Sequence, residues 1–298
     1  MTERLKLEGS MVALVTPFSG GEVDFDALGR LVDYQIDNGT QGLVPCGSTG
    51  ESPTLTHDEH DRVVEFVVDR SRGRVPVIAG TGSNATDEAL RLTHHAKSIG
   101  ADACLVVNPY YNKPTQEGIY QHVKAIAEIG LPIVLYNNPW RTGVELTAKT
   151  IARMYDDFPE VIADKEATGK LDLASAIANR CDITILSGDD SLTVPLCSVG
   201  AKGVISVLAN LLPREIRSLC DAIAAGDMQE ACRLHLKLFP IVKAMFVETN
   251  PIPIKAAMAM AGMLENELRM PLTPLAEEHR PGLAEKVREF MPSLAATA

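Results

Sequence analysis

The chain has 298 residues, 46% of them hydrophobic, and a formal charge of −11 from 28 Lys and Arg against 39 Asp and Glu. That apolar share supplies a large core, so a disordered chain is excluded, and the acidic balance excludes a nucleic-acid groove, which needs a basic stripe. No run of about 18 apolar residues occurs, so no membrane span is predicted.

The opening stretch, MTERLKLEGSMVALVTPF, scatters charge and has no separate apolar segment before a small-residue cleavage site. It therefore does not read as a secretory signal, and a soluble, cytoplasmic protein is the expectation. Cysteines stand at 46, 104, 181, 197, 220 and 232, with no Cys-x-x-Cys pair and irregular gaps. Buried, reduced thiols are the expectation, not a metal site or a disulfide framework.

In chain order, short apolar runs begin at Met11, Gly42, Val75, Ala103, Pro132, Val161, Ile183 and Gly203. Their starts are 31, 33, 28, 29, 29, 22 and 20 residues apart, about one strand–helix unit each. Near-continuous apolarity, without polar alternation, suits parallel strands covered on both faces. Between them, Thr56 and Glu59 have capping-box spacing, with Val63, Val64, Val67 and Val68 on one helical face. Gly39, Gly100, Gly130 and Gly200 stand just before strands, where helices should end. Eight such units form either a barrel or an open doubly wound sheet, and the even cadence favours the barrel.

The predicted fold is an α/β (β/α)8 barrel over residues 1–225, with a C-terminal helical extension over 226–298 packed on it. Helices are expected at about Asp227–Val247, Ile252–Met263 and Leu283–Met291, and the closing LAATA should fray.

In a barrel, reactive groups gather at the C-terminal ends of strands. Lys165, closing an apolar strand, must be paired or shift its pKa downward. A desolvated amine attacks carbonyls to form a Schiff base, whereas the bland reading is an ion pair with Glu166. Adjacent strand residues point to opposite faces, which makes Glu166 a poor partner. Tyr136, on the neighbouring strand end, is either a proton carrier or an amphipathic core residue. Ser48 and Thr49 lie in a Gly-flanked turn able to hold a carboxylate, and Arg141 can grip a second one or simply sit at the surface.

Two further motifs carry less weight. Gly80-x-Gly82-x-x-Ala85 has the form of a dinucleotide fingerprint, but it falls on the third strand with no acidic residue closing the next. His57 and His60 stand three apart on one helix, which is neither usual zinc-protease spacing. The residues thus imply neither a metal nor an organic cofactor.

GSTGESPTLTHDEH, NPYYNKPTQEG, YNNPWRTG, DKEATG and SGDD, each at a barrel strand end, resemble the dihydrodipicolinate synthase family of pyruvate-dependent Schiff-base enzymes. The resemblance runs from about Met11 to the end of the chain. It implies Lys165 as the Schiff-base lysine, with Tyr136, Ser48 and Tyr111 as a proton relay, Tyr111 reaching into a neighbouring subunit. It makes Thr49 the holder of the pyruvate carboxylate, Gly188 and Ile205 pocket lining, and Arg141 the site for the carboxylate of L-aspartate 4-semialdehyde. No cofactor or metal is implied, and the assembly would be a homotetramer built from two dimers.

Related aldolases acting on sugar acids share the fold and the lysine; Arg141-Thr142-Gly143 favours the synthase. A silent lysine-binding member of the family would have no need of Lys165, Tyr136, Tyr111 and Arg141. Three departures stand out. Ser48 replaces a usual threonine, Trp140 a usually small residue, and Asp164 a usually apolar one. Asp164 should face the helices, where it needs a partner or solvent. The resemblance also implies an effector site for lysine at Ser52, His57, His60, Asn84, Glu88 and Tyr110, where Glu88 would pair with the ligand's α-amine.

Overall fold

The computed structural model describes residues 5–291. Its barrel strands are β1 (Gly9–Ala13), β2 (Leu43–Val44), β3 (Ile78–Gly80), β4 (Ala103–Val107), β5 (Ile133–Asn137), β6 (Val161–Glu166), β7 (Thr184–Ser187) and β8 (Gly203–Ser206). They lie in the spatial order β2-β1-β8-β7-β6-β5-β4-β3, with every pairing parallel. A bridge between Leu43 and Val77 joins the two ends of that order. First and last strands lying side by side, with the remaining edges bridged, is a closed barrel and not a doubly wound sheet.

A helix follows each strand: α1 (Phe25–Asp37), α2 (His57–Ser71), α3 (Thr86–Ser98), α4 (Gln116–Ala127), α5 (Ala148–Asp157), α6 (Leu171–Ala178), α7 (Thr193–Ser198) and α8 (Pro213–Ala224). A one-turn helix, Pro139–Thr142, is inserted after β5. Strand alternation sends Met11, Ile78, Leu105, Val134, Leu186 and Ile205 into the barrel, while Val12, Ala79, Cys104, Leu135 and Ile185 pack against the helices. Both faces are therefore dry, which is why the strands read as unbroken apolar runs.

The helix ends follow their local chemistry. Thr56 accepts from the Glu59 amide, while Glu59 accepts from the Thr56 amide at 2.8 Å, completing the expected capping box. Gly39, Gly100, Gly130 and Gly200 take φ of 85°, 83°, 75° and 113°, a region a side chain would strain.

Beyond α8 come α9 (Met228–Ala244), α10 (Ile252–Met260) and α11 (Arg280–Phe290). Gly262, at φ 69°, stops α10 short of the expected Met263. Leu238 and Ile241 of α9 and Ile254 and Met258 of α10 share one apolar cluster with the outer faces of the strands, so these helices pack on the barrel. The LAATA segment lies outside the described residues. Among those described, no helix is long and apolar enough to cross a membrane.

Burial of the cysteines holds for only half of them. Cys46, Cys104 and Cys220 are buried, Cys181 and Cys197 are half-buried, and Cys232 is exposed on the outer side of α9. A surface helix keeps one face in water whatever residue stands there.

Candidate active site

Strand β6 ends in Ala163-Asp164-Lys165-Glu166, and alternation divides these side chains between two environments. Lys165 turns into the barrel opposite Tyr136 of β5, its Nζ lying 4.3 Å from the centre of the phenol ring. Burial pushes the Lys165 pKa down, partly offset by Tyr136 and Asp190, while Arg141 adds to the depression. Glu166 turns outward and accepts from the Thr168 amide at 2.6 Å, so the ion pair weighed as the bland alternative does not form. The amine is thus held dry, with a raised free-base fraction, at the floor of the strand ends.

Asp164 also faces outward, as alternation requires, but it finds neither solvent nor partner. It is fully buried, and among the described residues neither oxygen has a hydrogen bond. Burial, then the charge of Glu166, pushes its pKa far up, because the buried anion has no partner to offset its desolvation.

Tyr136 is buried and accepts a 2.9 Å hydrogen bond from Asn138 Nδ2. Burial alone would raise its pKa, but the Lys165 ammonium, then Asn138, Arg141 and Ser48, outweigh it and draw the phenol below its ordinary range. Asn138 also caps the one-turn helix by accepting from the Arg141 amide at 3.2 Å. One residue thereby sets the phenol and places Arg141, whose Nη2 donates to the Asn250 carbonyl at 2.9 Å.

The Ser48–Thr49 turn follows β2 and is bounded by Cys46 and Glu51, both at φ 54°. Left-handed backbone at two non-glycine residues is a strained arrangement that its surroundings must enforce. Thr49 is buried and its Oγ1 accepts from Asn250 Nδ2 at 2.9 Å. Gly188, at the end of β7, has no room for a side chain: a Cβ there would lie 2.6 Å from Ala167 Cβ and 3.3 Å from Lys165 Cε. Ile205 is buried inside the barrel.

A cavity of about 300 Å³ includes Ser48, Glu51, Tyr110, Arg141 and Asn250 in its wall. A wider opening of about 790 Å³ shares Arg141 and Asn250 and adds Asn138, Trp140, Gly188 and Phe246. Trp140 stands 87% exposed at this mouth, its ring nitrogen 3.4 Å from the Thr168 carbonyl. Tyr111 is 90% exposed, so within one chain it is not brought to the site.

A separate cavity of about 120 Å³ is lined by Ser52, His57, His60, Glu88 and Tyr110, and its lining does not include Asn84. His57 Nε2 lies 2.6 Å from Glu88, and Ser83 also donates to that carboxylate. Ser83, then His57, lowers the Glu88 pKa, leaving an anion facing the cavity. His60 is buried with Nε2 2.8 Å from the Gly80 carbonyl, and among the described residues Nδ1 has no hydrogen bond. Ser52, Pro53, Gly82 and Tyr110 line both this cavity and the larger one.

The dinucleotide-like glycines have a packing cause. A Cβ at Gly80 would lie 2.1 Å from the Cys46 carbonyl, and one at Gly82 would lie 2.4 Å from the Val107 amide. The helix after them, α3, has Ala85 as its N-cap, a residue whose side chain cannot accept from the first amides.

Residues 6–290 match the model of the Dihydrodipicolinate synthetase family. The chain belongs to that family. It is 53% identical to the 4-hydroxy-tetrahydrodipicolinate synthase of Geotalea uraniireducens over 286 residues, 95% of this chain and 98% of that one. The chloride-inhibited dihydrodipicolinate synthase of Acinetobacter baumannii, complexed with pyruvate, superposes with a TM-score of 0.92 at 43% identity, covering 95% of this chain and 98% of that one. The synthase of Cyanidioschyzon merolae with lysine bound gives 0.91 at 38% identity, covering 95% and 97%.

Against this family background, Asn250 is the site residue the sequence reading missed. It is buried, touches Thr49 and Arg141, lines both openings, and its Oδ1 has no hydrogen bond among the described residues. Its only signal was an Asn-Pro turn between two helices more than a hundred residues from Arg141 in sequence, which spacing cannot connect to a strand end.

Proposed function

We propose that this chain condenses pyruvate with L-aspartate 4-semialdehyde to give 4-hydroxy-tetrahydrodipicolinate, working through a Schiff base on Lys165. The observation that carries the reading is the dry Lys165 amine against the Tyr136 phenol, a pair on which Arg141 acts and whose phenol Ser48 also reaches. The Lys165 amine adds to the pyruvate ketone and water leaves, forming the imine. Loss of a methyl proton gives the enamine, whose carbon attacks the aldehyde. The aldehyde partner's own amine then attacks the imine carbon, expelling Lys165 and closing the ring.

In this reading Tyr136, Ser48 and a neighbouring copy's Tyr111 move the protons. Thr49 and the amides of its turn hold the pyruvate carboxylate, Gly188 and Ile205 shape the pocket, and Arg141 binds the aldehyde's carboxylate. The exposure of Tyr111 and of Met270, 90% and 84%, supports association of copies, and a homotetramer acting in the cytoplasm is the form we propose. Lysine, as effector, would sit in the smaller cavity, its α-amine on Glu88 and the rest of its polar groups on Ser52, His57, His60, Asn84 and Tyr110.

Assaying pyruvate side by side with L-aspartate 4-semialdehyde and with N-acetylmannosamine tests the substrate assignment. Turnover of the semialdehyde alone supports it, and turnover of the amino sugar alone contradicts it.

A further inference from the structure

Helix α10 is otherwise an apolar plug, with Ile252 to Met258 all buried, yet its centre holds a lysine. Lys255 and Glu51 have no exposed side-chain surface, and Lys255 Nζ lies 2.7 Å from Glu51 Oε1. Nζ also donates to the Thr16 carbonyl at 2.9 Å, and Thr16 in turn donates to the Gly50 carbonyl at 2.7 Å. The second oxygen of Glu51 accepts from the Arg269 amide at 3.1 Å. Both carboxylate oxygens are therefore used within the fold, and neither is free for substrate.

Packing does not account for this pair. A methionine or leucine at 255 would fill the space without removing a charge from water, which costs several kcal/mol before any partner offsets it. What distinguishes the pair is where it pulls. Glu51 has left-handed backbone and closes the turn that begins at Cys46 and carries Ser48 and Thr49. Its amide donates to the Ser48 carbonyl at 3.2 Å. The turn just before α10 reaches the same turn a second time, through Asn250 on Thr49.

We infer that Lys255 and Glu51 are positioning residues: their ion pair draws the Ser48–Thr49 turn into the strained shape that receives the pyruvate carboxylate. This rests on the functional reading above. It adds that Lys255 of α10 belongs to the carboxylate site, acting from behind it without touching substrate.

The test is the double variant E51Q/K255M, which removes both charges, keeps an acceptor for the Arg269 amide and leaves no buried ion unpaired. Melting and steady-state kinetics are read together. The pyruvate KM should rise about tenfold or more, with kcat within about threefold and the semialdehyde KM within about twofold. A purely structural pair would lower the melting temperature or the fraction of active protein and leave the pyruvate KM unchanged, and that result overturns the inference. Should the double variant not fold, Glu51→Asp keeps both charges and withdraws the carboxylate by one methylene. A raised pyruvate KM there supports the inference, and an unchanged one overturns it. Borohydride trapping of pyruvate on the unmodified chain separates the two levels. No adduct on Lys165 sinks the functional reading, whereas an adduct with unchanged KM in the variants sinks only the positioning role.

Discussion

Tyr136 and Lys165 stand opposite each other on adjacent strands, with the lysine ammonium 4.3 Å from the centre of the phenol ring. Each alters the other's protonation: the ammonium draws the phenol pKa down, and the phenol holds the lysine pKa up against burial. Imine formation at limiting pyruvate needs the free amine, so its rate should climb with pH through a pKa below the ordinary lysine value of 10.5. Tyr136→Phe removes the group that holds that pKa up, so the rising limb should move to lower pH. The same change should lower kcat by about 10²- to 10⁴-fold through loss of proton transfer. A pH profile of kcat/KM for pyruvate checks both, and a limb moving to higher pH would count against the coupling.

Arg141 should divide the two substrates. Its guanidinium donates to the Asn250 carbonyl and lines the mouth, while Lys165 itself is not among the residues of that opening. Arg141→Lys keeps a charge but loses the planar fork, so kcat/KM for the semialdehyde should fall by about 10- to 100-fold. Single-turnover trapping with pyruvate alone should change by no more than a few-fold.

Asp164 is expected to weaken the fold at neutral pH. Burial, then Glu166, raises its folded-state pKa above 3.8. A carboxyl shifted that way favours folding most below its unfolded pKa, and the contribution is lost as pH climbs through the folded value. Asp164→Leu should therefore raise stability at pH 7 by about 1–3 kcal/mol, with the advantage shrinking toward pH 4. Thermal melts at both pH values decide it. Activity should be unchanged, because the side chain faces the helices.

Glu88 should govern lysine binding. It is anionic, held by Ser83 and His57, and faces the smaller cavity. Calorimetry should show lysine binding that Glu88→Gln weakens by about tenfold or more, with turnover in the absence of lysine unaltered. No heat with the unmodified chain, together with turnover insensitive to lysine, would remove the effector site from the account.

The barrel and the strand-end residues were legible because each rests on a local rule. Apolar runs at steady spacing mark strands buried on both faces, and alternation alone put Lys165 inward and Glu166 outward. What spacing could not reveal were contacts closed over long stretches of chain. Spacing does not set Lys255 apart from any other charge in a helix, or Asn250 from any other residue before a proline. Their partners, Glu51 and Thr49, lie about two hundred residues earlier, and only the packing of α10 against the turn after β2 brings them together. Asp164 was placed on the right face, but its isolation there depends on which side chains the covering helices present.

Lys165 as the nucleophile can be tested without the second substrate. The chain is incubated with pyruvate, reduced with borohydride, digested and mapped by mass spectrometry. A single reduced pyruvate adduct is expected on the peptide containing Lys165, absent from Lys165→Arg. No adduct, or an adduct on a different lysine such as Lys255, would contradict it.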